Sequence, residues 1–240
     1  MRHSSRLTSF PDGGLAVVIG ASGAVGSALL SRLREDDRFA EVVGLSRAKI
    51  PVLDLTSEKT IAEAARRISS LGTSPRIILD ATGFLHGDGA IPEKSWQQLD
   101  AAYMAKCFAI NAIGPALLMK HLLPLMPREG KSVFATLSAK VGSIGDNHLG
   151  GWYSYRASKA ALNQLVRTAA IELKRRQPEA ICVALHPGTV DSKLSAPFAK
   201  GGLEVRSPSE AANRLLEVID KLTPAASGRF FDYRGEPLPW

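Results

Sequence analysis

The chain has 240 residues, 45% of them apolar, which is enough to bury one substantial core. It carries 30 Lys and Arg against 23 Asp and Glu, a net charge of +7, but its basic residues are scattered and only Lys174, Arg175 and Arg176 are adjacent. A nucleic-acid interface needs a clustered basic stripe, so none is predicted. Cys107 and Cys182 lie far apart in apolar runs, so neither a disulfide framework nor a metal site with paired ligands is indicated.

Residues 1–14 are predicted to be a loose leader that precedes one domain over residues 15–240. Basic residues before the stretch LAVVIGASGAVGSALL loosely imitate a signal peptide, but Gly20, Gly23 and Gly26 interrupt its apolar run. No uninterrupted run of 18 or more apolar residues occurs, so no membrane segment is predicted. These features predict a cytoplasmic protein that does not associate with membranes.

Short apolar runs alternate along the chain with longer segments of helical periodicity. The predicted strands are residues 15–20, 41–45, 50–55, 76–81, 131–137, 180–186 and 228–233. Strands that are apolar on both faces and separated by helices are typical of a parallel sheet covered on both sides. The sequence therefore predicts a doubly wound α/β fold with a parallel seven-stranded sheet, in a single domain.

The longest irregular segments each follow a predicted strand. They lie near residues 82–93, 138–151 and 187–207. The carboxyl ends of parallel strands share one edge of the sheet, and open α/β folds bind their ligands there. We expect these three segments to meet at that edge.

The first predicted strand leads directly into the sequence GASGAVG. Its glycines permit a tight turn and a close approach of pyrophosphate to the backbone, and a helix beginning near Ala24 would direct free N–H groups at the phosphates. The same pattern also occurs as an ordinary strand-to-helix turn. Its position after the first strand favours a dinucleotide site. The predicted contacts are Gly20, Ser22, Gly23, Ala24, Val25 and Gly26.

Ser46 and Arg47 follow the second predicted strand, where sites that prefer NAD(H) carry an acidic residue for the ribose 2′-hydroxyl. A guanidinium group can bind a 2′-phosphate through two hydrogen bonds, and no carboxylate is present here to repel that phosphate. The alternative is an ordinary surface arginine at a strand end. The pair predicts NADP(H) in preference to NAD(H).

The sequence YSYRASK places Lys159 four residues after Tyr155, on the same face of a predicted helix. An ammonium group near a phenol stabilises phenolate and lowers the phenol pKa, which suits Tyr155 to proton transfer with a carbonyl. Tyr153 falls on a different face and is expected to pack with Trp152 at the pocket rim. The alternative is a tyrosine and a lysine that are neighbours by chance.

These motifs, in this order, resemble those of the short-chain dehydrogenase/reductase family, of the compact single-domain type, from about residue 15 onward. Asp54 in LDLT matches the family's acidic residue at the adenine, and DATG at residues 80–83 stands where the family has N-N-A-G. Asn111, Tyr155 and Lys159 match three members of its catalytic tetrad. GSIGDN, YSYRASKAALN and HPGTVD are most similar to the branch of C-factor and sniffer-type carbonyl reductases.

The resemblance implies a Rossmann-type sheet and further contacts with the cofactor. HPGTVDSKL, from His186, resembles the family's P-G motif, which closes over the nicotinamide. The contacts so implied are Asp54, Leu55, Ala81, Thr82, Gly83, Tyr155, Lys159, Pro187, Gly188, Val190 and Ser192. No metal is implied.

Ala139 departs from the family's pattern. The tetrad serine is the second serine of a run S-S-x-x-G, and that position is Ala139 in the run Ser138-Ala139-Lys140-Val141-Gly142. A methyl group cannot orient a carbonyl or stabilise oxyanion charge. Ser138, one residue earlier, and Ser143, just after the glycine, are the candidates to replace it.

The implied activity is hydride transfer between a nicotinamide and a carbonyl or alcohol substrate, with Tyr155 as acid and base. Lys159 would lower the phenol pKa and bind ribose hydroxyls. Asn111, in a helix that Gly114 and Pro115 interrupt, would hold a water that resupplies the proton. The alternative is a dinucleotide-binding redox sensor or partner-binding module without turnover, which Ala139 favours and the intact trio disfavours.

The implied partner is a small molecule, bound by a substrate loop at about residues 187–208. Within it Leu194, Phe198 and Leu203, with Lys193 and Lys200 nearby, suit a medium-sized apolar carbonyl compound. The helical segment from residue 99 to 126 and the helix after Tyr153 are apolar around more of their circumference than one sheet face covers. We therefore expect a homodimer or homotetramer.

Overall fold

The computed structural model describes residues 7–48, 52–87, 89–198 and 204–240. The strands, in chain order, are β1 Gly14–Ile19, β2 Phe39–Leu45, β3 Pro75–Asp80, β4 Ser132–Leu137, β5 Ala180–His186, β6 Thr189–Val190, β7 Val205–Arg206 and β8 Phe230–Asp232. The α-helices are α1 Ala24–Arg34, α2 Glu58–Ser70, α3 Ala101–Phe108, α4 Gly114–Leu122, α5 Tyr153–Arg176 and α6 Pro208–Lys221. A π-helical turn, Ala109–Ile113, joins α3 to α4.

Six strands form the main sheet in the order β2-β1-β3-β4-β5-β8, and every neighbouring pair is parallel. The strand order reverses between β1 and β3, which is the position where doubly wound sheets open a ligand crevice. The predicted α/β class and the single parallel sheet are confirmed. A separate short pair, β6 with β7, lies outside this sheet.

Alternate residues of β1 pack into different cores, as the two-residue period of a strand requires. Leu15, Val17 and Ile19 join a cluster with residues of α2, α4 and α5. Ala16 and Val18 join a second cluster with residues of α1 and α6. Helices therefore cover both faces of the sheet, and all six sheet strands end at one edge.

The described part of the chain has six strands in the main sheet rather than the seven predicted. The segment predicted as a third strand, residues 50–55, shows only an isolated bridge between Ser46 and Val52 over its described residues 52–55. Val52 is 46% exposed, and Asp54 accepts hydrogen bonds from Thr56 two residues later. The segment thus bends into a turn instead of extending beside β2.

Residues 7–13 are not loose, contrary to the leader predicted for residues 1–14. Leu7 and Phe10 are each 2% exposed and belong to the core shared with α1 and α6. The Leu7 N–H donates to Asp36 Oδ2 at 2.8 Å, which ties this segment to the turn before β2. Residues 1–6 lie outside the described residues.

The segment Ala101–Leu125 is long and apolar enough to cross a membrane by length and composition. Here it is divided among α3, the π-helical turn and α4, and its buried residues Cys107, Ala112, Leu118 and Leu122 are 0–2% exposed. Core helices commonly pass the same test of length and composition. The segment is accordingly a core element of this fold.

Candidate active site

The glycine turn between β1 and α1 has the form expected of a phosphate cradle. Gly20 has φ +79°, a conformation that favours glycine, and its N–H donates to Leu45 O at 2.9 Å. A Cβ atom on Gly26 would overlap the Gly20 carbonyl, so α1 approaches the turn more closely than a side chain would allow. Gly23 is the N-cap of α1, whose first N–H groups lack partners within the helix. Ser22 lies in the same turn, and Ala24 and Val25 are the first two residues of α1.

Ser46 and Arg47 lie beside this turn, at the carboxyl end of β2. Ser46 is 3% exposed, and its Oγ is buried with no hydrogen-bond partner among the described residues. Arg47 is exposed. Hydrogen bonds from Thr56 and, to a smaller extent, the positive charge of Arg47 hold the Asp54 pKa below its ordinary value. Arg47 and Asp54 therefore share one electrostatic environment.

Residues 80–83 line the floor of the crevice next to the glycine turn. A Cβ atom on Gly20 would lie 3.0 Å from the Ala81 carbonyl and 3.1 Å from Thr82 Cγ2. Thr82 Oγ1 and Thr136 Oγ1 donate to the two carboxylate oxygens of Asp80, at 2.5 and 2.7 Å. Burial raises the pKa of Asp80, although these hydrogen bonds and the charge of Lys159 oppose the shift.

Lys159 is a buried ammonium group, 2% exposed, in the second turn of α5. Its Nζ donates to Leu137 O, at the end of β4, at 2.7 Å. Burial lowers the pKa of Lys159 to about 8, while the charge of Asp80 acts in the opposite direction. The turn at Lys140–Gly142 lies directly against it, since a Cβ atom on Gly142 would be 2.6 Å from Lys159 Cβ.

Tyr155 precedes Lys159 by one turn of α5 and is 7% exposed. The Lys159 Nζ lies 6.0 Å from the centre of the Tyr155 ring. Burial raises the pKa of Tyr155, with a further upward contribution from Cys107. The direction is opposite to the sequence expectation, because burial is the largest cause and the Lys159 ammonium group donates to Leu137 O. Tyr155 is therefore a neutral phenol at neutral pH, the form that a proton donor requires, but a weaker acid than a free tyrosine.

Tyr153 occupies the first position of α5 and is only partly buried. The preceding residue, Trp152, has its ring edge-to-face with Tyr155 and with Phe198, at centroid distances of 6.1 and 5.0 Å. Phe198 in turn contacts His86 at 5.5 Å. An apolar aromatic wall, formed by Trp152, Phe198 and His86, therefore extends from Tyr155 toward the substrate loop.

Asn111 lies in the π-helical turn and is 1% exposed. Its Oδ1 accepts from the Phe84 N–H and its Nδ2 donates to the Phe84 carbonyl, both at 2.8 Å. Pro115, four residues later, cannot donate an α-helical hydrogen bond to the Asn111 carbonyl. The interruption expected from Gly114 and Pro115 thus takes the form of a π-helical turn. Leu55, a predicted cofactor contact, is buried, with its Cβ where a side chain on Gly114 would lie.

Ser138 and Ser143 are both buried, at 4% and 2% exposure. Ser138 Oγ donates to Asn163 Oδ1 at 2.7 Å. Ser143 Oγ donates to Trp240 O at 3.3 Å and accepts from the Asp146 N–H at 3.1 Å. Ala139, between β4 and the turn at residue 140, is partly exposed. Both hydroxyl protons are therefore directed at protein groups.

The P-G motif follows β5 and is held by its neighbours. Gly188 has φ +79°, and a Cβ atom there would lie 2.9 Å from Arg206 Nη1 and 3.1 Å from the Tyr233 ring. Val190 pairs with Arg206 between β6 and β7. Pro187 precedes Gly188 in the same turn, and Ser192 Oγ lies 3.1 Å from Ser195 Oγ.

The three loops that were predicted to gather at the carboxyl edge do contact one another. His86 Nε2 lies 3.0 Å from Lys193 O and 3.1 Å from Leu194 O, joining the loop after β3 to the substrate loop. The Trp152 N–H donates to Glu93 O at 2.5 Å, joining the loop after β3 to the loop after β4. Leu203 and Lys200, predicted in the substrate loop, lie outside the described residues.

Sequence reasoning missed one residue that contacts the helix carrying Tyr155 and Lys159. Glu93, 3% exposed, places its carboxylate at the N–H and hydroxyl of Ser154, the residue before Tyr155. Its partner is 61 residues away in the chain, so no local pattern could reveal the contact.

Comparison with known proteins gives matches over most of the chain. A family model described as "Enoyl-(Acyl carrier protein) reductase" matches residues 20–220. "C-signal" of Myxococcus xanthus is 40% identical over 143 residues, which are 59% of this chain and 81% of that protein. "1-hydroxy-2-glutathionyl-2-methyl-3-butene dehydrogenase" of Rhodococcus sp. (strain AD45) is 32% identical over 235 residues, which are 93% of this chain and 98% of that protein.

Among solved structures, the NADPH-bound carbonyl reductase from chicken fatty liver superimposes with a TM-score of 0.83. It is 22% identical and the superposition covers 97% of this chain and 96% of the other, so this likeness supports the fold. The resemblance to the C-factor branch, predicted from the motifs, is confirmed by C-signal, and the likeness to a carbonyl reductase is a likeness of fold. The chain belongs to the short-chain dehydrogenase/reductase family of oxidoreductases.

Proposed function

We propose that the protein is an NADP(H)-dependent oxidoreductase that transfers a hydride between a nicotinamide and a carbonyl or alcohol substrate. The observation that carries the proposal is the convergence of Asn111 and Lys159 on Gly83, with Tyr155 one helical turn away. A Cβ atom on Gly83 would lie 3.9 Å from Asn111 Oδ1 and 3.9 Å from Lys159 Nζ. A molecule lying along this backbone would be next to Asn111 and Lys159, and the Tyr155 ring centre lies 6.0 Å from Lys159 Nζ.

The nucleotide end of the crevice fits NADP(H). The Gly20–Gly26 turn leaves room for pyrophosphate at the start of α1, where a side chain on Gly26 would not fit. Ser46 offers a buried hydroxyl without a partner in the described residues, and Arg47 a guanidinium group beside it. These two groups match the 2′-phosphate that distinguishes NADP(H). The remaining predicted contacts, among them Asp54, Val190 and Ser192, are retained as proposals.

The bound cofactor would supply the hydride. Tyr155 donates its proton to the carbonyl oxygen as that oxygen gains charge, and in the oxidation direction it accepts the alcohol proton. Lys159 places a positive charge beside the site and donates to a ribose hydroxyl. The side-chain amide of Asn111 is hydrogen-bonded to the N–H and to the carbonyl of Phe84 and so fixes the loop next to Gly83. Proton resupply through a water near Asn111 and Lys159 remains part of the proposal.

Ser138 is the proposed source of the missing hydroxyl. Its partner Asn163 has a buried Nδ2 with no hydrogen-bond partner among the described residues, while Asn163 Oδ1 accepts from Ser138. Half a turn of the Asn163 amide would bring Nδ2 to Ser138 Oγ as a donor. The Ser138 proton would then be free for a substrate carbonyl. Ser143 has no partner that could change from acceptor to donor by rotating, because both its partners are backbone groups.

The substrate is proposed to be an apolar carbonyl compound or the corresponding alcohol. Trp152 and Phe198 form the part of the aromatic wall nearest Tyr155. The related Rhodococcus protein is named as a dehydrogenase of a hydroxylated butene adduct, and the chicken protein as a carbonyl reductase. Both names describe interconversion of an alcohol and a carbonyl, which supports the reaction class.

The competing function is dinucleotide binding without turnover. Ala139 favours it, because the family's serine is absent there. The buried phenol of Tyr155, one helical turn before Lys159, weighs against it, because dinucleotide binding could use the lysine but needs no proton donor beside it. We propose a cytoplasmic enzyme.

A self-association site is proposed on the outer face of α4 and α5. A groove of about 420 Å³ lies between these helices. Its lining combines the apolar residues Ala116, Met119, Leu123, Pro124, Leu165, Ala169 and Leu173 with the polar and charged residues Lys120, Arg128, Thr168, Glu172, Arg176 and Gln177. We predict a homodimer or homotetramer in sedimentation, and Ala169→Glu, which places a charge among the apolar lining residues, should shift the mass toward that of one 25.7 kDa chain. A single-chain mass for the unmodified protein at micromolar concentration would refute this.

Replacement of Tyr155 by Phe removes the phenol proton and keeps the ring. Turnover with a carbonyl substrate should fall by roughly 100-fold or more, the scale for losing a positioned acid, while NADPH binding is retained. Tyr153→Phe is the matched control and should change turnover little. Full activity in the Tyr155→Phe enzyme would end the proposed mechanism.

The serine assignment is tested by three further variants. Ser138→Ala should reduce turnover by about 10-fold or more because it removes the proposed carbonyl donor, and Ser143→Ala should reduce it less. Ala139→Ser in the Ser138→Ala background should restore part of the loss. If Ser143→Ala abolishes turnover and Ser138→Ala is silent, the preference for Ser138 is wrong. Steady-state kcat values decide between them.

Cofactor choice is tested at Arg47. The unmodified protein should bind NADPH at least several-fold more tightly than NADH, and Arg47→Asp should reverse the order because a carboxylate repels the 2′-phosphate and accepts from a ribose hydroxyl. Arg66→Asp, at an exposed arginine on α2, is the control. Tighter binding of NADH to the unmodified protein, measured by fluorescence titration, contradicts the assignment.

The pH dependence of turnover follows from Lys159. Burial brings its pKa to about 8, so carbonyl reduction should decline as pH rises through that value and the ammonium group is lost. The charge of Asp80 raises the Lys159 pKa, so Asp80→Asn should move this decline to lower pH. A pH–kcat profile with the same alkaline limb in both proteins would show that Asp80 does not act on Lys159.

A further inference from the structure

The helix that carries Tyr155 has an unusual beginning. Its N-cap residue, Trp152, is in the left-handed conformation with φ 53° and makes no side-chain capping hydrogen bond. The first turn of the helix contains no acidic residue. The first N–H groups of any α-helix need partners, and its positive end favours a negative charge. In this 24-residue helix, the residues at its start supply neither a capping side chain nor a negative charge.

Glu93, in the loop after β3, supplies both the hydrogen-bond acceptors and the negative charge. Its two carboxylate oxygens lie 3.3 and 3.2 Å from the Ser154 nitrogen, whose N–H they accept, and the Ser154 hydroxyl donates to Oε1. Its carbonyl accepts from the Trp152 N–H at 2.5 Å. Gly151 packs close to the same carbonyl, since a Cβ atom there would lie 3.4 Å from it. The main chain and the side chain of Glu93 thus form hydrogen bonds with Trp152 and with Ser154, on either side of the first residue of α5.

The burial of Glu93 is as informative as its contacts. A carboxylate that is 3% exposed loses most of its hydration, a loss that only strong hydrogen bonds or opposite charge offset. The donors of Ser154 and the positive helix end provide that compensation. A glutamate in this loop that did not contact α5 would be more stable with its carboxylate exposed to water.

The loop after β3 contacts the other catalytic element as well. Phe84 at its start binds the amide of Asn111 through both backbone groups. The Tyr103 hydroxyl of α3 donates to Leu85 O at 2.6 Å, fixing the loop between these two ends. One loop thereby sets the position of Asn111 at one end and of the residue before Tyr155 at the other.

We infer that Glu93 is a positioning residue that fixes the first turn of α5 and so the Tyr155 hydroxyl relative to the bound substrate and cofactor. This inference rests on the proposed function. Glu93 acts through Ser154 and does not touch the reacting atoms. Loss of its carboxylate lets the first turn shift, and a displacement of about 1 Å at a catalytic group can cost about 100-fold in rate.

The test compares Glu93→Gln, Glu93→Ala and Ser154→Ala with the unmodified protein, using NADPH and a carbonyl substrate well below the melting temperature. Glu93→Ala should lower kcat by about 10-fold or more and leave the Kd for NADPH within about threefold, because Glu93 contacts none of the residues proposed to bind the pyrophosphate or the 2′-phosphate. Glu93→Gln keeps one acceptor oxygen and should recover part of kcat. Ser154→Ala, which keeps the N–H, should have the smallest effect.

Asp36→Asn is the matched control for a purely structural carboxylate. Asp36 is 6% exposed and accepts the Leu7 N–H at the opposite edge of the sheet, so its loss should lower the melting temperature and leave kcat unchanged. The inference is overturned if the Glu93 variants behave like Asp36→Asn, with lower melting temperature and unchanged kcat. If Glu93→Ala does not fold, Glu93→Gln and Ser154→Ala decide, and unchanged kcat in both overturns it. Tyr155→Phe assayed in parallel separates the two proposals, because its full activity would refute the function itself.

Discussion

A buried positive charge constrains the whole carboxyl edge of the sheet. The Lys159 ammonium group is 2% exposed, and water can contribute little to its stabilisation. Leu137 O accepts one of its protons at 2.7 Å, and the carboxylate of Asp80 raises its pKa against the effect of burial. Asp80 in turn accepts hydrogen bonds from the hydroxyl groups of Thr136, in β4, and of Thr82. The ends of the neighbouring strands β3 and β4 and the helix α5 are therefore linked through one charge.

Two glycines face Lys159. Gly142 lets the turn after β4 lie against Lys159, where any side chain would collide with the lysine Cβ. A Cβ atom on Gly83 would make only ordinary contacts, 3.9 Å from Asn111 Oδ1 and from Lys159 Nζ, so Gly83 borders open space in front of these two groups. The packing of α5 on the sheet therefore depends on the absence of a side chain at Gly142.

Much of the fold was predictable because its signals are local. Apolar strands alternating with periodic helices predict a parallel sheet, and the four-residue spacing of Tyr155 and Lys159 places both on one helical face. The glycine turn was equally predictable, because the turn needs φ > 0 at position 20 and glycine adopts this conformation without strain. These features depend on neighbours within about one turn or one strand.

Other features depended on contacts that no local pattern reports. Residues 52–55 are as apolar as an edge strand, but hydrogen bonds between Asp54 and Thr56 bend them away. The direction of the Tyr155 pKa depends on burial and on where Lys159 donates, which spacing alone does not determine. Leu7 and Phe10 pack on the core through α1 and α6, and Glu93 caps a helix 61 residues away.

The decisive measurement for the proposed catalytic turnover is the consumption of NADPH with a panel of carbonyl compounds. The panel should include apolar aldehydes, quinones and ketoesters, with the alcohol product quantified alongside. For at least one apolar compound, the amount of NADPH consumed should equal the amount of alcohol formed. Tight NADPH binding with no consumption by any member of the panel would contradict the proposed turnover and favour a dinucleotide-binding module.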